Sequence, residues 1–168
     1  LWLRLRGRIV ARDSNGRAVR AAGTMIDVSG QRDAESALAE ERMRLRTLVD
    51  TLPDLVWVKD AEGRCLACNR RFESFAGQRE ADIVGRGDED FFPADLVEAF
   101  RLHDRTTQSV GGAQHLEAWL PFAADGHQAC LEIIRTPMFD AAGHLTGILG
   151  IGRDVTVARQ VQGVLAAR

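Results

Sequence analysis

A short pattern recurs in this chain at one fixed spacing. Asp13, Gly16, Gly23, Asp27 and Val28 each reappear 127 positions later as Asp140, Gly143, Gly150, Asp154 and Val155, and Arg8 and Ser29 map onto Arg135 and Thr156 at the same offset. Self-similarity at a single offset marks duplicated structural units. Residues 1 to 30 are therefore expected to be the closing strands of one unit whose complete copy ends near Thr156. The length of 168 residues agrees, since it holds one full domain with a fragment beside it. Because the sequence opens on Leu1 and closes on Ala-Ala-Arg within a helix-like pattern, it is expected to be a segment of a longer protein.

The repeated unit has readable local chemistry. Asp140-Ala-Ala-Gly143, like Asp13-Ser-Asn-Gly16, sets a turn-forming Asp three residues before a Gly, between two apolar runs, and so predicts a hairpin. The run Leu145 to Val155 then reaches Asp154 and Thr156, residues suited to capping a helix from Val157. A strand is expected to feed a helix directly.

Between the copies, Gln31 to Leu52 lacks Gly and Pro and carries Ala34, Leu38, Glu41, Leu45, Leu48 and Leu52 at alternating spacings of four and three. That seam predicts a linker helix, residues 31 to 50, that pairs with another chain. After Thr156, Ala158, Val161 and Leu165 begin a second seam over 158–168. Residues 51 to 157 form the complete domain. Leu55 to Lys59 and Arg64 to Asn69 make a hairpin, and Arg70–Ala76, Arg79–Val84 and Asp88–Phe92 are short helical pieces. Pro93 to Val110 is a longer helix, followed by strands at Gln114–Phe122 and Gln128–Met138. The fold class that follows is α+β: a five-stranded antiparallel sheet with short helices on one face, flanked by signalling helices.

Composition narrows the function classes. With 22 Lys plus Arg against 24 Asp plus Glu there is no global field to draw in nucleic acid or anionic lipid. No apolar run approaches the roughly 18 residues that span a bilayer. The three cysteines, Cys65, Cys68 and Cys130, suit a reducing compartment, so a cytoplasmic location is expected, without direct membrane contact in this segment. Cys65 and Cys68 sit three apart on a strand, where side chains point to opposite faces, so no metal site is expected. No Ser-His-Asp arrangement, phosphate loop or Gly-Gly-Asp-Glu-Phe signature occurs, and His103-Asp104-Arg105-Thr106-Thr107 matches a kinase phosphoacceptor pattern only by coincidence. No catalytic residue is assigned, and the segment is expected to be regulatory rather than an enzyme.

The order of elements, with Leu52-Pro53-Asp54, Asp60-Ala-Glu-Gly63, Asn69-Arg70-Arg71-Phe72, Asp125-Gly126, Thr136-Pro137 and Gly150-Ile-Gly-Arg-Asp154-Val-Thr156, closely resembles a PAS domain with its C-terminal PAC motif. The resemblance implies a cytoplasmic sensory module of a bacterial signalling protein, with a histidine kinase or diguanylate cyclase as output. It also makes residues 1 to 30 the tail of a preceding PAS domain. Haem and flavin are not expected: His103 falls away from the ligand position of haem-binding members, Cys65-Leu-Ala-Cys68 is followed by Asn69, and no Cys occurs between 69 and 129 for flavin photochemistry. Two readings remain. In one, a small apolar or amphipathic ligand sits among Val56, Val58, Phe72, Phe75, Ile83, Phe92, Leu96, Phe100, Trp119, Ile133 and Ile148, with Trp119 and Arg135 as polar handles, and the change is relayed by Asp154 and Thr156. In the other, the domain has no ligand of its own and serves as a homodimeric relay through its flanking helices.

Overall fold

The computed structural model describes residues 1–166 as two compact units, residues 1–47 and the remainder of the chain. In the first, β1 (Leu3–Arg12) and β2 (Ala18–Asp27) pair antiparallel in a two-stranded sheet of their own. Leu3, Leu5 and Ile9 share one face with Met25, while Arg4, Arg6 and Arg8 occupy the other. The repeat is geometrically real near the turn, where Arg12 and Ala18 pair as Phe139 and Leu145 do. Beyond it a bulge between Ile9 and Ala11 shifts the register, so Gly7 faces Gly23 where Arg135 faces Gly150. Arg8 is thus not the structural counterpart of Arg135. Helix α1 (Ser29–Thr51) follows, with no buried residue along its length and with Leu38, Leu45 and Leu48 exposed.

The second unit is built on a five-stranded antiparallel sheet. Its strands are β3 (Leu55–Asp60), β4 (Cys65–Cys68), β5 (Gln114–Pro121), β6 (Gln128–Phe139) and β7 (Leu145–Asp154), ordered β4-β3-β7-β6-β5. Between β4 and β5 run α2 (Arg70–Ala76), α3 (Glu80–Ile83), a 3-10 turn at Asp88–Asp90 and α4 (Ala94–Val110), and β7 continues into α5 (Thr156–Ala166). Every element expected over residues 51–157 is present, with bounds that differ by a residue or two.

Local chemistry explains the starts and stops. Asn69 is fully buried and its side chain makes four hydrogen bonds. Its Oδ1 accepts from the N–H groups of Val56 and Phe72, both at 3.0 Å, and its Nδ2 donates to the carbonyls of Val49 and Asp54. One side chain thereby caps α2 and ties the end of α1 to β3. Gly77, at φ 69°, closes α2 in the left-handed conformation that favours glycine. Gly150 serves a different need: the Trp57 ring lies where its Cβ would stand, so the indole packs flat on the centre of the sheet. The core between sheet and helices is Leu55, Trp57, Phe72, Phe75, Phe100, Leu120, Phe122, Leu131 and Ile133, with Phe91 and Phe92 packed against it.

Pairing fixes which residues face that core. Trp57 lies opposite Gly150 and Lys59 opposite Ile148, so the inward set on β3 is Leu55, Trp57 and Lys59. Val56 and Val58, expected to face inward, lie on the other face of the sheet and are half-buried. A bulge between Val58 and Lys59 also changes the cysteine geometry. Cys68 pairs with Trp57 and Cys65 with Lys59, so both thiols are buried on the inner face, contrary to the expectation from uniform alternation.

Candidate functional site

A cavity of about 20 Å³ lies between the sheet and the helices, large enough for a water-sized group. Most of its wall is apolar. Leu55, Trp57, Phe72, Phe75, Phe92, Phe100, Leu120, Leu131 and Ile133 line it, and Lys59, Asp88 and Arg135 supply charge. The rings form a continuous row, with Trp57 and Phe72 centroids 5.3 Å apart, Phe75 and Phe92 5.1 Å apart, and Phe92 edge-on to Phe100 at 5.4 Å.

The charged end brings together four buried side chains from four elements. Lys59 of β3 is 3% exposed, Asp88 of the 3-10 turn 9%, Asp104 of α4 7% and Arg135 of β6 4%. The Lys59 ammonium donates to Asp88 Oδ2 and, at 3.0 Å, to Asp104 Oδ2. Arg135 Nε lies 3.1 Å from Asp104 Oδ1, but that contact is a charge pairing rather than an aligned hydrogen bond. Arg135 Nε and Nη1 and Asp104 Oδ1 are left without hydrogen-bond partners. The Arg135 guanidinium also sits 5.6 Å from the Phe100 ring. Burial pulls its pKa below the usual value, and the carboxylates of Asp104 and Asp88 pull it back up. Unsatisfied buried donors are rare in native proteins and single out a site.

Six of the twelve expected ligand residues line this cavity: Phe72, Phe75, Phe92, Phe100, Ile133 and Arg135. Ile83 and Ile148 are fully buried without lining it, and Leu96 is half-buried against the core. Val56 and Val58 are on the opposite face, as described above. Trp119 is 53% exposed and does not belong to the site. Its face was legible: Leu116, Ala118 and Leu120 alternate inward along β5, which puts Trp119 outward with Glu117. Lys59, Asp88 and Asp104 were missed. Nothing in the sequence singles out these charges, because they become a group only when β3, the 3-10 turn and α4 meet.

At the far end of the domain, the junction of β7 and α5 is held by side chains. Asp154 Oδ1 accepts from the Thr156 N–H at 3.0 Å and from its hydroxyl at 2.5 Å, and the Thr156 oxygen in turn accepts from Cys130 N at 2.9 Å. Arg159 of α5 forks onto both oxygens of Glu117 on β5. Burial raises the Asp154 carboxyl, but the Thr156 hydrogen bonds and the Arg71 charge outweigh it and hold its pKa below the ordinary 3.8. Arg71 lies 3.8 Å from Asp154 and 4.7 Å above the Phe122 ring, which itself packs edge-on to the cavity residue Phe75 at 5.4 Å.

These features define a class of domain: a five-stranded antiparallel sheet and helices enclosing a small internal cavity, with the last strand handed directly to a helix. Residues 49–160 match the family described as PAS fold, and the chain belongs to that family. It is 30% identical over 121 residues to the aerobic respiration control sensor protein ArcB of Escherichia coli, covering 72% of this chain and 15% of ArcB. It is also 30% identical over 166 residues to the two-component sensor PprA of Pseudomonas aeruginosa, covering 98% of this chain and 18% of PprA. The chain thus spans less than a fifth of either relative. Among solved structures, VqmA bound to DPO superposes with a TM-score of 0.60 at 25% identity, over 67% of this chain and 57% of that one. Among the described residues no helix is long and apolar enough to cross a membrane.

Proposed function

We propose that residues 51–157 are the sensory module of a bacterial signal-transduction protein. In this reading a small molecule binds between sheet and helices, and Asp154 and Thr156 pass the change into α5. The observation that carries it is Arg135, 4% exposed, lining an aromatic-walled cavity with two of its nitrogens unpaired. The relatives add support, since two are named as sensor proteins and VqmA was solved with DPO bound. Their names favour a two-component output over a diguanylate cyclase. The repeat supports assigning residues 1–30 to a preceding PAS domain, and the exposed seam on α1 supports a homodimer. With this output the segment is regulatory and cytoplasmic.

Native mass spectrometry of the purified protein, paired with thermal shift, tests the sensor reading. A retained or added small molecule at a hundred times its Kd stabilises by about 2.7 kcal/mol. Absence of any retained species, with no stabilising compound in a broad metabolite screen, contradicts it. A second reading, a dimeric relay without a ligand of its own, is favoured by the cavity's size of about 20 Å³, below the few hundred Å³ typical of small-molecule pockets. It predicts a concentration-dependent dimer that forms with no bound molecule.

A further inference from the structure

The charges around the cavity cancel: Lys59 and Arg135 are cations, Asp88 and Asp104 are anions, and all four are buried. Within this balanced group three buried atoms lack hydrogen-bond partners: Asp104 Oδ1 and Arg135 Nε, which pair by charge at 3.1 Å, and Arg135 Nη1, which is left needing an acceptor. Two of the three Lys59 N–H bonds are already committed to carboxylates. Resting on the reading of this cavity as a ligand site, we propose that its occupant is an uncharged hydrogen-bond acceptor of amide type, whose carbonyl oxygen takes the free N–H of Arg135. A carboxylate would form the same hydrogen bond. It would also add a net negative charge to a buried site that is already neutral, next to Asp104 Oδ1, which is itself without a donor. A cationic amidinium fails in the opposite sense, since it turns donors toward the donors of Arg135. An amide avoids both penalties: its oxygen faces Arg135 and its N–H groups have the Asp88 carboxylate on the same wall to donate to. Around that edge the walls are the aromatic rings of Trp57, Phe72, Phe75, Phe92 and Phe100, and a cavity of about 20 Å³ leaves room for little more than the amide itself and a small apolar substituent.

Three probes of nearly equal shape and only four heavy atoms separate these cases: acetamide, acetate and acetamidinium. The experiment is an NMR titration of the folded chain at neutral pH with each probe, following the Arg135 Nε–Hε resonance. Acetamide is expected to shift that resonance saturably, with the two ions requiring about tenfold higher concentration or more, because each brings a net charge into a buried site that is already neutral. Acetate or acetamidinium binding as well as acetamide overturns the proposed ligand class and leaves the cavity standing as a ligand site. If none of the three moves the Arg135 resonance while the spectrum stays folded, the cavity reading itself falls, and the proposal with it.

Discussion

Asp104 is the residue on which the buried charges depend, because it faces Lys59 and Arg135 at once. Removing one partner of a buried ion group leaves the others uncompensated, so Asp104→Ala is expected to lower stability by about 3–5 kcal/mol. Urea unfolding at neutral pH measures this, and a loss below about 1 kcal/mol would place the group in a far wetter environment. One residue earlier on α4, His103 has its pKa held below the ordinary 6.5, first by burial and then by the Arg135 charge. Its unfolded form therefore binds a proton more readily, and stability falls as pH drops below about 6.5. In His103→Gln the part of the decline in melting temperature between pH 7.5 and pH 5.5 that comes from this imidazole should vanish. An unchanged pH slope would show that His103 titrates alike in both states. These residues also mark the limit of what the chain reveals on paper. In Leu55-Val-Trp-Val-Lys59 both alternating sets are apolar enough to face a core, and a terminal lysine ordinarily argues for solvent. It is the distant carboxylates, Asp88 and Asp104, that make burial of Lys59 tolerable and so decide the face.

The elements themselves were legible to within a residue or two, because turns and caps are local chemistry. Asp140 to Gly143 makes its turn from its own atoms, with Oδ1 of Asp140 accepting from the N–H groups of Ala142 and His144. Faces were less legible wherever a bulge intervened. The irregularity between Val58 and Lys59 brings Cys65 and Cys68 to one side, and the one at Ile9 to Ala11 displaces Arg8. A bulge adds a residue without leaving a composition signature, so strict alternation misassigns whatever lies past it. The junction of β7 and α5 is where an element-level prediction belongs. Thr156→Val removes the hydroxyl that accepts from Cys130 and donates to Asp154, and loss of such a capping group costs about 1 kcal/mol. Hydrogen exchange should show faster exchange confined to the Cys130 amide and the first turn of α5. Uniform loosening of the sheet would instead make Thr156 an ordinary core contributor.

Along the sequence, α1 precedes and α5 follows the five-stranded sheet, and both carry apolar residues exposed to solvent, Leu38, Leu45 and Leu48 on one and Val157, Val161 and Leu165 on the other. A helix with an unburied apolar seam is stabilised by pairing with a second copy. Leu45→Asp, which sets a charge in that seam, should weaken a homodimer about tenfold or more in sedimentation equilibrium. A chain that stays monomeric at high micromolar concentration would remove α1 as the pairing element. In the proposed relay the cavity and α5 form one mechanical unit. Phe75, Phe122 and Arg71 span the distance between the aromatic wall and Asp154. The most direct measurement is amide hydrogen exchange across Thr156–Ala166 in the native chain and in Phe100→Leu, a change confined to the cavity wall. Coupling predicts altered protection in the first turns of α5, because Arg71 and Phe122 make the link; identical protection in the two proteins, with both fully folded, would contradict it.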